Sequence, residues 1–181
     1  TNQGSLSNYI FGEYQFQQKF NNKITFTSGI TGSYTNVESQ LYGDHHSNNL
    51  ASYVQGDKKW DKVTFSAGMR LEYFKIDSIQ SSGKLFKKNL NIPFQPVFRF
   101  AGTYNPFDYT FIRASYGQGY RFPSIAEKFI STFVGGLNIF PNTSIEPEYG
   151  WSSEIGIKQG FVINNFKGYF DFSVFLTQYT D

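Results

Sequence analysis

Few side chains in this chain of 181 residues could do chemistry. Its two histidines, His45 and His46, are adjacent and directly follow Asp44. Neighbours in an extended strand point to opposite faces, so only a loop would converge this trio on a metal ion. The absence of cysteine removes thiolate ligands and a disulfide framework. Two adjacent histidines build no Ser/His/Asp arrangement, and Gly135-Gly136 lacks the strand-to-helix setting of a phosphate cradle. The sequence therefore implies no enzyme, no metal centre and no cofactor. Charges and aromatics remain. Arg70 with Glu72, and Glu154 with Lys158, could meet an anionic ligand, although charges sharing a strand face more often pair and hydrate. Tyr120, Arg121, Phe129, Phe133 and Phe140 lie in the longest excursion of the chain and are the candidates for ligand contact.

The elements that position these residues read as β-strands. Over residues 63–73, Val63, Phe65, Ala67, Met69, Leu71 and Tyr73 share one parity, against Thr64, Ser66, Gly68, Arg70 and Glu72 on the other. The same alternation puts Ile24, Phe26, Ile30 and Tyr34 opposite Thr25, Thr27, Thr31 and Ser33. It recurs with Phe98, Phe100 and Tyr104 against Arg99 and Thr103, with Ile112 and Ala114 against Arg113 and Ser115, with Trp151, Ile155 and Ile157 against Glu154 and Lys158, and with Phe170, Phe172, Val174 and Leu176 against Asp171 and Ser173. A first strand spans about 8–18, and a third, with mixed faces, about 50–56. Pro93 and Pro96 weaken the start of the fifth. Ser124, with Glu127 three residues on, marks a capping box for a short helix over about 124–129.

Eight strands result, with short turns near residues 20, 58, 106 and 164 and long connections after 36, 77 and 117. If neighbours are antiparallel, all short turns fall at one end and all long loops at the other, which is how outer-membrane barrels are built. Arg70, Glu72, Arg99, Arg113, Glu154, Lys158 and Asp171 all take the polar parity, so they are expected to face a barrel lumen. Charge on a lipid face costs about 2–4 kcal/mol for Lys or Arg at the midplane, which accounts for that segregation. Composition agrees: 21 Phe and 13 Tyr accompany a mean hydropathy of only −0.40, as a sheet with one apolar and one polar face requires. Runs of about 10 residues match the roughly 9–11 that cross a bilayer at a tilt. No apolar run of about 18 residues exists to form a transmembrane helix. A formal net charge of +2 gives no case for nucleic acid.

Ala114-Ser115-Tyr116-Gly117-Gln118-Gly119-Tyr120-Arg121-Phe122-Pro123-Ser124, followed by Glu127, resembles the Gly-aromatic-Arg-x-Pro-Ser segment of TonB-dependent outer-membrane receptors. Asn142-Thr143-Ser144-Ile145-Glu146-Pro147-Glu148 is similar to that family's Asn-Pro-x-Leu-x-Pro-Glu segment, and a Ser-x-Glu-x-Gly strand follows at Ser152–Gly156 as it does there. Phe122, Thr143 and Glu146 depart from the residues usual at their positions. The motif positions Gly119, Arg121, Pro123, Ser124, Glu127, Asn142, Pro147 and Glu148 are expected to be structural. The resemblance implies an all-β fold: an antiparallel meander belonging to a bacterial outer-membrane barrel of about 22 strands, its lumen filled by a plug domain. Residues 1–181 would be part of that one barrel domain, without the plug. It further implies uptake of a scarce solute (ferric siderophore, haem, cobalamin or glycan), powered by TonB through the plug. The partners would be membrane lipid, the imported ligand, the plug and the remaining strands. Two other architectures fit the alternation: a self-contained eight-stranded barrel of the adhesin or anchor type, and a soluble glycan-binding β-sandwich.

Overall fold

The computed structural model describes residues 4–180 apart from 81, 82, 86, 87 and 93, so Pro93 and Asp181 lie outside the described residues. Eight long strands form one antiparallel sheet in which each pairs with its neighbours in chain order: β1 (Ser5–Phe20), β2 (Ile24–Ser39), β3 (His45–Lys59), β4 (Val63–Ile76), β8 (Gln95–Tyr104), β9 (Thr110–Arg121), β12 (Glu148–Ile163) and β13 (Phe166–Thr180). Between β4 and β8 lie three short pieces, β5 (Ile79–Gln80), which folds back antiparallel on the end of β4, and the β6 (Gly83–Leu85) and β7 (Lys88–Ile92) hairpin. Between β9 and β12 come α1 (Ile125–Phe129) and a second hairpin, β10 (Thr132–Val134) with β11 (Leu137–Ile139). Its turn is Gly135-Gly136, with φ of 58° and 87°, the left-handed pair that a tight hairpin needs.

Turns 21–23, 60–62, 105–109 and 164–165 lie at one end of the sheet, and connections 40–44, 77–94 and 122–147 at the other. The first of the latter is much shorter than the polar run from Asn36 to Asn49 implies. Asn36, Val37 and Glu38 stay paired, Val37 with both Ser7 and His45. The third strand likewise extends from His45 to Lys59, beyond the expected 50–56, and the turn after it falls at Trp60, where the Trp60 amide donates to the Val63 carbonyl at 2.7 Å. Backbone pairing does not depend on side-chain polarity. Alternation therefore reports only the part of a strand that needs an apolar face, and strands of 14–16 residues run on where both faces are polar.

Register fixes the two faces. Arg70, Glu72, Arg99, Arg113, Arg121, Glu148, Glu154, Lys158 and Asp171 share one of them. On the other, charge is confined to the next-to-last residue of a strand, at Glu38, Lys58 and Lys75. Buried side chains, including Thr27, Thr31, Ala51, Glu72, Ile76 and Val97, belong almost entirely to the polar face. The apolar face is bare: Ile155 is 61% and Phe172 64% exposed, and Ile30, Leu50 and Leu176 are similar. Among the described residues no second sheet covers it, which removes the β-sandwich, whose core is the contact between two apolar faces. Among the described residues β1 pairs only with β2 and β13 only with β12. The sheet is thus an open arc, in contrast to the alternative of a closed eight-stranded barrel.

Candidate functional site

The polar face carries interlocked ion pairs. Arg113 on β9 donates through Nε to Glu154 at 3.0 Å and through Nη1 to Asp171 at 2.8 Å, linking three strands. The register places Gly156 opposite Arg113, and Gly156 is what makes the reach possible: a Cβ there would meet Arg113 Cζ at 2.9 Å and Ser173 Cβ at 3.0 Å. Arg70 donates through Nε to Glu72 at 2.8 Å and through Nη2 to the Thr31 hydroxyl at 3.1 Å, and Asn49 also donates to Glu72. Glu72 is thus satisfied at 7% exposure. The Lys158 ammonium lies 4.2 Å from the centroid of the Tyr169 ring. Arg99 stands between Gly68 and Gly117 with no such partner among the described residues.

At the long-loop end, the connection after β9 doubles back over this face. Its base is Arg121, directly opposite Glu148 in the register. Arg121 Nη1 donates to both Glu127 oxygens at 2.7 and 2.9 Å, while Nε and Nη2 donate to Glu148 at 3.1 and 2.8 Å. The expected capping box is present: the Glu127 amide donates to Ser124 Oγ, and the Ser124 amide donates to Glu127 Oε2 at 2.7 Å. The Ser124 amide first, and Arg121 second, hold the Glu127 carboxyl below its usual range.

From that base the chain crosses β8 and β4 to reach β3. Phe122 stacks on Phe74 at 4.4 Å between centroids, Phe129 stacks on His45 at 3.7 Å, and the Ser131 amide donates to the Leu41 carbonyl at 3.0 Å. His45 is the junction: Nδ1 lies 2.7 Å from Asp77 Oδ2 and Nε2 lies 2.7 Å from the Tyr42 carbonyl, so both nitrogens meet acceptors. Asp77 also accepts from the His46 amide at 2.9 Å. Burial opposes ionisation of Asp77, but the His46 amide and the His45 ring outweigh it and hold the carboxyl below its usual range. The buried Lys128 donates through Nζ to the carbonyls of Thr143 and Ile145 at 3.0 and 2.9 Å, anchoring the returning limb, and burial pushes its amine down. Asn142 Oδ1 accepts from the Ser144 amide at 3.2 Å in an Asx turn, and Pro123 and Pro147 are buried.

The ligand candidates are dispersed by this arrangement. Tyr120 has the apolar parity and leans on Phe122 at 4.9 Å. Arg121 is occupied by two carboxylates and Phe129 by His45. Phe133 and Phe140 are 66% and 74% exposed at the β10–β11 hairpin. Sequence reasoning passed over His45 and Asp77 as a junction, because their meeting depends on how three loops turn. The adjacent polar side chains were the only signal available.

No curated protein matches the sequence. Among solved structures, the hemophore receptor HasR of Serratia marcescens, as a double mutant in complex with its hemophore HasA and heme, superposes with a TM-score of 0.74 at 13% identity, covering 96% of this chain and 33% of that one. At that identity the likeness speaks for the fold, and this chain spans about a third of the receptor's length. The family described as TonB dependent receptor-like, beta-barrel, matches residues 1–181. The chain belongs to the TonB-dependent receptor β-barrel family.

Proposed function

We propose that this chain forms part of the wall and outer mouth of a bacterial outer-membrane receptor that captures a scarce solute and admits it to the periplasm. The family is one of transporters rather than enzymes. In this reading the apolar face meets lipid, and the polar face, with Arg70, Glu72, Arg99, Arg113, Glu154, Lys158 and Asp171, lines a lumen filled by a plug. TonB acts through that plug. The observation that carries the reading is the single-layer sheet, with charge segregated to one face and Ile155, Phe172 and Leu176 bare on the other. A hydrocarbon surround makes that face favourable, because removal of apolar area from water is worth about 25 cal/mol per Å².

The imported solute belongs to the class of ferric siderophore, haem, cobalamin or glycan. HasR, bound to a hemophore and heme, puts haem among the first to test. The exposed Phe133 and Phe140 are the foremost contact residues, with Tyr120, Arg121 and Phe129 behind them in the same loop. The test is growth of cells whose full-length receptor carries Phe133→Ser and Phe140→Ser, with each solute class supplied as sole source. Loss of growth on one class, at unchanged receptor level, supports the reading. Unchanged growth on all of them in cells lacking the receptor contradicts it.

A further inference from the structure

The chain has four arginines, and three of them grip carboxylates: Arg70 holds Glu72, Arg113 holds Glu154 and Asp171, and Arg121 holds Glu127 and Glu148. Arg99 grips none among the described residues. Its position explains why. The register carries one continuous row across all eight strands, Gln17, Thr27, Gln55, Gly68, Arg99, Gly117, Ser152 and Thr177, in which Arg99 is the single charge. The acids nearest to this row are already engaged: Asp57 accepts from Gln55 and Ser66, and Glu154 from Arg113. The two residues flanking Arg99 are glycines, so no side chain on either adjoining strand shades its guanidinium at that level. The guanidinium opens on a concave cavity of about 860 Å³ on the polar face, whose lining includes Gly68, Gly117, Ser115 and Ser152.

A guanidinium is permanently charged, and its planar fork matches a carboxylate or phosphate with two parallel hydrogen bonds. We propose that Arg99 is an oxyanion-binding site, which receives a carboxylate or phosphate group entering this cavity from outside the chain. The proposal rests on the reading of this face as the receptor lumen. Two sources share the chemistry: an acidic side chain of the domain filling the barrel, or an anionic group on the imported solute.

The test is arginine-selective dicarbonyl labelling of the full-length receptor in detergent, read peptide by peptide by mass spectrometry against a free arginine amide. Inorganic phosphate and citrate serve as probes. A charged hydrogen-bonded pair is worth about 1.5–3 kcal/mol, so an occupied Arg99 labels about tenfold or more slowly than the free amide. Slow labelling without added anion identifies an acidic group of the receptor itself. Fast labelling that becomes slow and saturates with phosphate or citrate identifies the solute as the source. Arg99→Gln and Arg99→Lys separate pairing from mere covering: a lost partner lowers the melting temperature of the receptor in the glutamine variant, and the lysine variant restores most of it. Labelling as fast as the free amide under every condition, or slow labelling with no difference between the two variants, overturns the proposal. None of these outcomes depends on the growth assay that tests the receptor reading, so either can fail alone.

Discussion

The imidazole of His45 and the phenyl ring of Phe129 stack 3.7 Å apart at an interplanar angle of 19°, joining the start of β3 to the end of α1 across β4 and β8. A stacked aromatic pair contributes about 0.5–1.5 kcal/mol beyond the area it buries. Phe129→Ala in the full-length receptor should therefore release the segment 122–131 from the polar face while leaving the sheet intact. Hydrogen exchange is the check: the Ser131 amide, bonded to Leu41, should exchange about two- to tenfold faster, with β4 and β9 unchanged. Exchange at Ser131 equal to that of the parent receptor would mean that the stack does not hold the loop.

The same loop should respond to acid. Glu127 and Asp77 both have carboxyls held below their usual range. A folded-state pKa below the unfolded one contributes stability that is present above the unfolded value, about 4, and is lost as pH falls through the folded value. Protection of residues 122–131 against protease should hold from neutral pH to about 5 and decline below about 4. Both carboxyls are partly exposed, so solvent screening keeps the change modest. A loop that loosened on raising the pH from 5 to 7 would contradict this assignment.

Gly156 should tolerate no larger residue. Valine there drives a Cβ to within 2.9 Å of Arg113 Cζ and should dislodge the guanidinium from Glu154 and Asp171, at about 1–3 kcal/mol for a forced overpacking. At Gly119, where an added Cβ meets nothing within 4 Å, alanine should be neutral. Urea unfolding of the receptor in lipid vesicles compares the two, and equal midpoints would count against the Arg113 network.

How much of this was legible in the sequence depended on what each residue had to satisfy. β4 was plain because Val63, Phe65, Met69 and Leu71 all need an apolar surround. β3 was not, because Asn48, Ser52 and Gly56 interrupt Leu50 and Val54 on the same face. Gly119, Tyr120 and Arg121 read as loop, yet they remain paired with Gly150, Tyr149 and Glu148. Ser124 and Glu127 announced the helix start because a capping box is a contact three residues apart. The His45–Phe129 stack joins residues far apart in sequence, and no local pattern encodes that distance.

The central claim is that the apolar face meets lipid and the polar face an aqueous lumen. The chain contains no cysteine, so in a full-length receptor freed of any cysteine elsewhere, single cysteines can be introduced one at a time along β12 at Ser152, Ser153, Glu154, Ile155, Ile157 and Lys158 and spin-labelled after reconstitution in a membrane. Collision with oxygen, which concentrates in hydrocarbon, should be high at 153, 155 and 157 and low at 152, 154 and 158, with the reverse for a water-soluble nickel chelate. Accessibility that lacks this two-residue alternation, or that favours the chelate at Ile155, would contradict the account.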